Sequence, residues 1–404
     1  MPKSNFFTGQ PVFSQLLSLI PAPELSSIVR SVGSDYRYRR FLTYEHLVTM
    51  LYCSFYKCLS LREVVTGLHA NYNKLAHLGM RHLPKKSTLA EANAKRDPAV
   101  FERLYHHLYS KYFKSLPDSR KTKSLEDRLF IMDSTTISLF TDVMKGAGSY
   151  GADGKKKGGA KAHVLLDAKH SIPSFILITS SNHNDRVMMS KVSLEAGSIL
   201  VMDKGYHKFS QWQSWTEAGI NWVCPLIDSE AVEVLESKII TEAQYKNGIR
   251  KDQRVILGAG TNKSTQRIEV RMVTYYDVAS KSTFKFLTNN FRFKATTVAS
   301  LYKARWQVET FFKSIKQSRQ LRFFLGETEN AIKILIWCAF IADLLIKIIK
   351  SKLTKKWAFS NLTALIRHHL MNYLNLIYFL NNPDKLCTET KNHQLTIPFF
   401  NSSA

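Results

Sequence analysis

Two aspartates in this chain each follow a short apolar run: Asp133 comes after "RLFIM" and Asp203 after "SILVM". Such runs fit buried strands, and a carboxylate that ends one is held rigidly at the rim of a sheet, where two rims can meet. Gly205 permits a sharp turn just after Asp203. A third acid, Glu309, stands among cations in "YKARWQVETFFKSIKQ" (302–317). Gathered acids repel one another, so such a cluster persists only around cations. Hard oxygen ligands suit Mg²⁺ or Mn²⁺, and two such ions about 4 Å apart drive in-line displacement at a phosphodiester. One ion activates a water or 3′-hydroxyl, and the other stabilises the leaving oxygen.

The stretch 302–317 predicts one amphipathic helix. At about 100° per residue, Tyr302, Arg305, Glu309 and Lys316 fall within roughly 60° of arc. Leu301, Val308, Phe311, Phe312 and Ile315 gather on another side, which can be buried. Beside a metal-binding Glu309, Arg305 and Lys316 could hold the phosphates of a strand being cut. Tyr302 could hydrogen-bond a phosphate or stack on a base.

Each of these residues also has a plainer reading. A solvated face with an Arg305–Glu309 pair accounts for the stripe. A cap to Ser134 or Thr135 accounts for Asp133, and a turn before "KGY" accounts for Asp203. Asp167, Asp185 and Glu195 are rival acids, read as a hairpin-turn residue, a helix cap and a solvated helix end. His183 in "NHND" has no partners at ligand spacing. The Gly- and Lys-rich loop 145–163 lacks a phosphate-loop fingerprint and is either a surface loop or a contact to a DNA backbone.

The elements that must position these groups follow from periodicity. Residues 1–125 read as a helical domain: "TYEHLVTMLYCSFYKCLSLREVVTGL" (43–68) has helical spacing with Ser60 as a cap, Thr88 and Glu91 have capping-box spacing, and "VFERLYHHLYSKYFKSL" forms another helix. A small basic helical domain is the usual shape of a helix-in-groove DNA reader. Pro117 with "DSRKTKS" marks a linker. From 126 to 226 the order is a strand, a hairpin ("AHVLLDA", "SFILITS"), a helix over "DRVMMSKVSLEAG", a strand, a helix and a strand, an α/β order with a mixed sheet. Residues 227–290 alternate with period two and read as a β-rich insertion. Helices return over 291–350, and the tail 351–404 carries one more, around "NLTALIRHHLMNYLNLIYFL", and a frayed end. No internal repeat is present.

Composition narrows the partner. Of 404 residues, 57 are Lys or Arg against 32 Asp or Glu, a net charge of +25 that calls for a polyanion, nucleic acid first and an anionic membrane surface second. The segment after Met1 is broken by Pro11, Pro21 and Pro23 and lacks the pattern of a signal peptide, so a cytoplasmic protein is expected. The apolar stretch 331–350 contains Lys333, Asp343 and Lys347 and reads as a buried helix, with no membrane span. Five cysteines without metal-ligand spacing read as reduced core residues, with neither a zinc site nor a disulfide framework.

Taken together, "DSTT" (133–136), "MDKGY" (202–206) and the Tyr, Arg, Glu and Lys of 302–316 resemble the bacterial DDE transposases of the insertion-sequence-4 group. That family's last motif runs Tyr, two residues, Arg, three residues, Glu, six residues, Lys, and all four positions match. The resemblance extends to "RWQVETFFKSIKQ", "ENA" (329–331) and "STLAEAN", and spans roughly residues 10–350. It implies an RNase H-like catalytic core interrupted by a β-rich insertion, with two Mg²⁺ or Mn²⁺ ions per site. It also implies Asp133, Asp203 and Glu309 as catalytic metal ligands, and Tyr302, Arg305 and Lys316 as contacts to the element's end. The implied partners are double-stranded DNA, both inverted-repeat ends and target, and a second copy of the chain as a homodimer on that DNA. The implied activity is phosphodiester hydrolysis at the transposon boundary and joining of the 3′-hydroxyl to target DNA. Relatives stack a flipped base on an insertion tryptophan; no Trp lies between Trp222 and Trp306 here, and Tyr275 and Tyr276 are the candidate rings. Two other readings are a DNA-binding relative without catalysis and a metal-dependent nuclease of the same fold.

Overall fold

Period-two patterning carries the middle of the chain into one mixed sheet. The computed structural model describes residues 9–113, 124–138, 159–180, 184–258, 267–318, 326 and 328–384. The chain divides into two compact units, one of Met1–Leu108, Ser318–Gly326 and Asn330–Ala404, the other of Tyr109–Gln317 and Glu327–Glu329.

In chain order, the first helices are α1 (Val12–Leu17), α2 (Ala22–Val32), α3 (Thr43–Tyr56), α4 (Leu61–Ala70), α5 (Lys86–Lys95) and α6 (Ala99–Tyr112). Ser60 caps α4 as expected, its hydroxyl accepting from the Glu63 N–H at 3.1 Å. The Thr88–Glu91 box does not form, because α5 already begins at Lys86; Glu91 pairs with Lys95 at 2.6 Å instead. The Pro117 linker falls mostly outside the described residues, as do His183, most of the Gly- and Lys-rich loop and the end of the tail.

The second unit contains β1 (Leu129–Ser138), β2 (Gly159–Asp167), β3 (Ile172–Ser180), β4 (Ile199–Met202), α7 (Phe209–Glu217), β5 (Asn221–Pro225), β6 (Val232–Ser237), α8 (Glu242–Lys246), β7 (Ile249–Leu257), β8 (Ile268–Asp277), β9 (Ser282–Thr288), α9 (Ala295–Lys303) and α10 (Trp306–Ser318). Its strands form one nine-stranded sheet in the order β3-β2-β1-β4-β5-β9-β8-β7-β6. The hairpin β2–β3 is antiparallel, whereas β1–β4 and β4–β5 are parallel. Strands β6 to β9 extend the same sheet, joined to it where β9 pairs antiparallel with β5.

Alternation sorts the side chains of these strands onto two faces. Met132, Leu200, Met202, Trp222 and Cys224 pack with Trp212 and Trp215 of α7 on one face. Leu129, Ile199, Val201 and Val223 pack with Ala295, Val298 and Leu301 of α9 on the other. The expected helix over 185–197 is absent. Two single 3₁₀ turns, Asp185–Val187 and Met189–Lys191, follow the sheet instead. Met188 and Met189 are both fully buried in the core, and Asp185 is tied to the Ser134 hydroxyl, so the segment lies flat on the strands.

The chain closes with α11 (Glu329–Ser351), α12 (Phe359–His369) and α13 (Leu376–Asn381). α11 is buried over most of its length, and Asp343 meets Lys347 one turn on at 2.7 Å, so two of the three charges that interrupt the apolar stretch compensate each other inside it. Among the described residues no helix is long and apolar enough to cross a membrane. The single tail helix expected there is two, because the Asn375 side chain accepts from the Tyr378 N–H at 3.0 Å and starts α13 afresh.

Trp222 is fully buried and stacks on Trp212 with ring centroids 4.6 Å apart. Trp222→Ala is expected to cost about 3–5 kcal/mol, read as a lower urea midpoint in equilibrium unfolding.

Candidate active site

The register of β1 on β4 places the two aspartates together. Met132 pairs with Met202 at the last position of the parallel ladder, so Asp133 and Asp203 follow side by side. Asp203 does leave the end of its strand. Asp133 does not, because β1 runs on to Ser138 along β2, with Asp133 opposite Val164. The site therefore forms where β4 departs and β1 continues, a split between neighbouring strands rather than two strand ends. Counting alternately from Leu129 and Ile199, both carboxylates fall on the face covered by α9.

The stretch 302–317 is two helices, not one. At the junction of α9 and α10, hydrogen bonds shorten to i→i+3 spacing: Arg305 N–H to Tyr302 O at 3.0 Å, Gln307 N–H to Ala304 O at 2.9 Å and Val308 N–H to Arg305 O at 3.1 Å. The four residues are therefore carried by two helices and the turn between them, not by one helix. Tyr302 lies in the last turn of α9, Arg305 occupies the turn between the helices, Glu309 lies in the first turn of α10, and Lys316 lies in its last.

Arg305 joins β1 to α10. Its guanidinium donates to Asp133 Oδ2 at 3.1 Å and to Glu309 Oε1 at 2.6 Å. The Glu309 contact is the i, i+4 pair of the plainer reading, and the Asp133 contact, across 172 residues, is more than that reading allows. The cap reading of Asp133 is also realised, since the Ser134 N–H donates to Asp133 Oδ1 at 2.7 Å. One oxygen of Asp133 is thus fixed by its own backbone, and the other faces the arginine.

Burial pushes the Asp133 carboxyl up to about 6; the Ser134 N–H and Arg305 oppose the rise, while the charges of Asp203 and Glu309 add to it. Burial alone would lower Arg305, but Tyr302, Asp133, Asp203 and Glu309 outweigh it and raise it. Three acids from three elements therefore act on one another and on one cation. Among the described residues, no three His, Cys, Asp or Glu side chains are gathered closely enough to hold a metal ion. The donors are hard carboxylate oxygens of the kind divalent ions take, and Arg305 is the positive charge that now stands between two of them.

Tyr302 packs on the face covered by α9, as does Tyr275. Tyr302 packs on Phe286, centroids 4.5 Å apart, with the Arg305 guanidinium 5.7 Å from its ring centre. Burial pushes its phenol up to about 12, opposed by Arg305 and aided by Asp203. Lys316 Nζ donates to the Thr136 carbonyl of β1 at 2.9 Å. Tyr275 faces Phe286 and lies under Lys303 Nζ at 5.0 Å, and Tyr276 lies under Arg250.

Of the rival acids, Asp167 is the hairpin-turn residue expected, accepting from the Lys169 N–H at 3.0 Å. Glu195 is exposed and not on a helix. Asp185 is not a cap: Asn184 caps its turn, while Asp185 accepts from Ser134 Oγ at 2.6 Å and meets Lys161 at 2.8 Å. Spacing along the chain does not mark Ser134, Lys161 and Asp185 as a group: the β1–β2 register sets Ser134 and Lys161 on one face, and Asp185 meets them from a segment outside both strands.

Because the folded Asp133 lies above the ordinary carboxylate value, its burial contributes stability that is complete below about pH 4 and is lost as pH rises through about 6. Arg305 limits that loss. In EDTA, Arg305→Gln is expected to destabilise the chain by about 1–3 kcal/mol at pH 7.5, with the deficit shrinking as pH falls through 6. Thermal melts across pH read this directly.

The chain is similar in sequence to known proteins. The family model of a transposase DDE domain matches residues 124–345, and a model of a domain of unknown function matches residues 8–81. A putative transposase, y4zB, of Sinorhizobium fredii is 30% identical over 66% of this chain and 71% of its own. A putative transposase for the insertion sequence element IS4SA of Synechocystis is 24% identical over 76% of this chain and 83% of its own. A cryo-EM structure of the piggyBac transposase synaptic complex with hairpin DNA aligns with a TM-score of 0.48 at 11% identity, over 98% of this chain and 88% of that one. The model that matches more than half of the chain places it plainly: this protein belongs to the DDE-domain transposase family.

Proposed function

We propose that this chain is the transposase of an insertion sequence of the insertion-sequence-4 group, cutting DNA at inverted-repeat ends and joining the freed 3′-hydroxyl to target DNA. The observation that carries the reading is the convergence of Asp133, Asp203 and Glu309 on one face, with Arg305 held between two of them. A mixed sheet with its two aspartates on adjacent parallel strands supports an RNase H-like core.

Asp133, Asp203 and Glu309 would hold two Mg²⁺ or Mn²⁺ ions, which when bound activate a water or 3′-hydroxyl and stabilise the leaving oxygen. The chain's own residues do the rest. The Ser134 N–H orients Asp133. Arg305 balances the acids in the free protein and, with Lys316, offers charge-assisted donors to the phosphates of the element's end. Tyr302, braced on Phe286, presents its phenol beside them. The helical segment 1–125 serves as the DNA-binding domain, with the catalytic core in 126–226 and 291–350, the β-rich insertion at 227–290 and a helical tail at 351–404. The excess of +25 charge favours DNA over other partners. The chain acts as a homodimer, in the cytoplasm where bacterial DNA lies.

Glu309→Gln and Asp133→Asn are expected to abolish Mg²⁺-dependent cleavage and joining on end-containing DNA while end binding survives. Full activity in either variant would sink the assignment, and cutting without joining in the wild type would make the chain a nuclease. Lys316→Ala is expected to weaken end binding and lower the slope of log K against log salt by about one.

A further inference from the structure

A second polar group is built on the opposite face of the sheet from the Asp133 carboxylate. Alternation turns the next side chain, Ser134, to that face. Its hydroxyl donates to Asp185 Oδ1 at 2.6 Å. The same oxygen lies 2.8 Å from Lys161 Nζ and 3.5 Å from His163 Nδ1, both on β2, where His163 is directly across from Ser134. The other oxygen, Oδ2, is 3.5 Å from the point where a side chain would begin at Gly205. One carboxylate thus bonds the residue after Asp133 and lies near the turn two residues beyond Asp203.

The group is well enclosed. The side chains of Lys161 and Asp185 are 16% and 28% exposed, so their pairing is less screened than a surface ion pair. The nearby Tyr206 phenol is pushed far up, by burial first and then by the charges of Asp185, Asp133 and Asp203. Lys161 compensates Asp185 locally, and its partner Ser134 points away from the site. Asp185 is therefore placed to hold Asp133 through Ser134, not to join the ligands.

We propose that Asp185 is a positioning residue of the candidate metal site, fixing Asp133 through Ser134. The proposal rests on the reading of Asp133 and Asp203 as ligands. Partners of this kind set ligand orientation, and their loss typically weakens metal binding by about 10–100-fold.

The test is Mn²⁺ titration of the full chain, followed by the loss of the free-ion electron paramagnetic resonance signal, with melting temperature in EDTA recorded for each variant. Asp185→Ala is expected to weaken Mn²⁺ binding by about 10–100-fold. Asp185→Asn, which keeps an acceptor for Ser134, should lose less, and Ser134→Ala should lose about as much as Asp185→Ala. Where Asp185→Ala does not fold, Asp185→Asn and Ser134→Ala carry the test. A folded Asp185→Ala with wild-type affinity would overturn the role of Asp185 alone. Asp185→Ala as severe as Asp133→Asn, with Ser134→Ala unaffected, would make Asp185 a ligand and overturn it too. Wild type and Asp133→Asn binding Mn²⁺ equally would remove the reading of the ligands themselves.

Discussion

The Arg305 guanidinium, caught between Asp133 and Glu309, is the interaction on which the organisation of the site depends. Two carboxylates drawn from a strand and a helix, with Asp203 beside them, form an arrangement that repels itself. A planar cation with several donors satisfies two acids at once, which a lysine in the same place could not do with the same geometry. The position of Arg305 in the turn between α9 and α10 is what lets it face both. Were 302–317 a continuous helix, Tyr302, Arg305, Glu309 and Lys316 would lie along one stripe. The 3₁₀ turn sets Tyr302 on a different helix from Glu309 and brings the guanidinium between the acids.

The sheet supplies the rest of the constraint. Side-by-side aspartates require β1 and β4 to be parallel and in the observed register, since a slip of one residue would turn Asp133 to the opposite face. That register is held by the burial of Met132, Leu200 and Met202 against α7 on one side and of Leu129, Ile199 and Val201 against α9 on the other. Both faces are apolar because both are covered, which is why "RLFIM" and "SILVM" read as unbroken apolar runs. The polar pair of Asp185 and Lys161 underneath Ser134 completes the split in the sheet.

Much of this was legible from residue types. Asp133, Asp203 and Glu309 stood out because each interrupts a segment whose burial is predictable, and Arg305 and Glu309 stood out by spacing. The strands of the insertion were legible by alternation, although alternation does not say which sheet a strand joins, and β9 joins the strands that carry the site. What the sequence hid was long-range. That Asp133 lies within β1 depends on β2, which begins only at Gly159, and local apolarity marks only the half of the strand that is buried. The break at Ala304 and Arg305 carries no Gly or Pro; it arises from hydrogen bonds that tighten where Arg305 reaches another element. The Ser134–Asp185 contact spans 51 residues, and a short acid after Asn184 reads equally well as a local cap.

The central claim is that Asp133, Asp203 and Glu309 share one site for divalent cations. The most direct measurement is anomalous diffraction from crystals of the chain grown with end-containing DNA and Mn²⁺. The account predicts anomalous peaks in contact with Asp133, Asp203 and Glu309, with Arg305 withdrawn from between the acids. Peaks elsewhere in the chain, or Arg305 still bridging Asp133 and Glu309 in the DNA complex at saturating Mn²⁺, would contradict it.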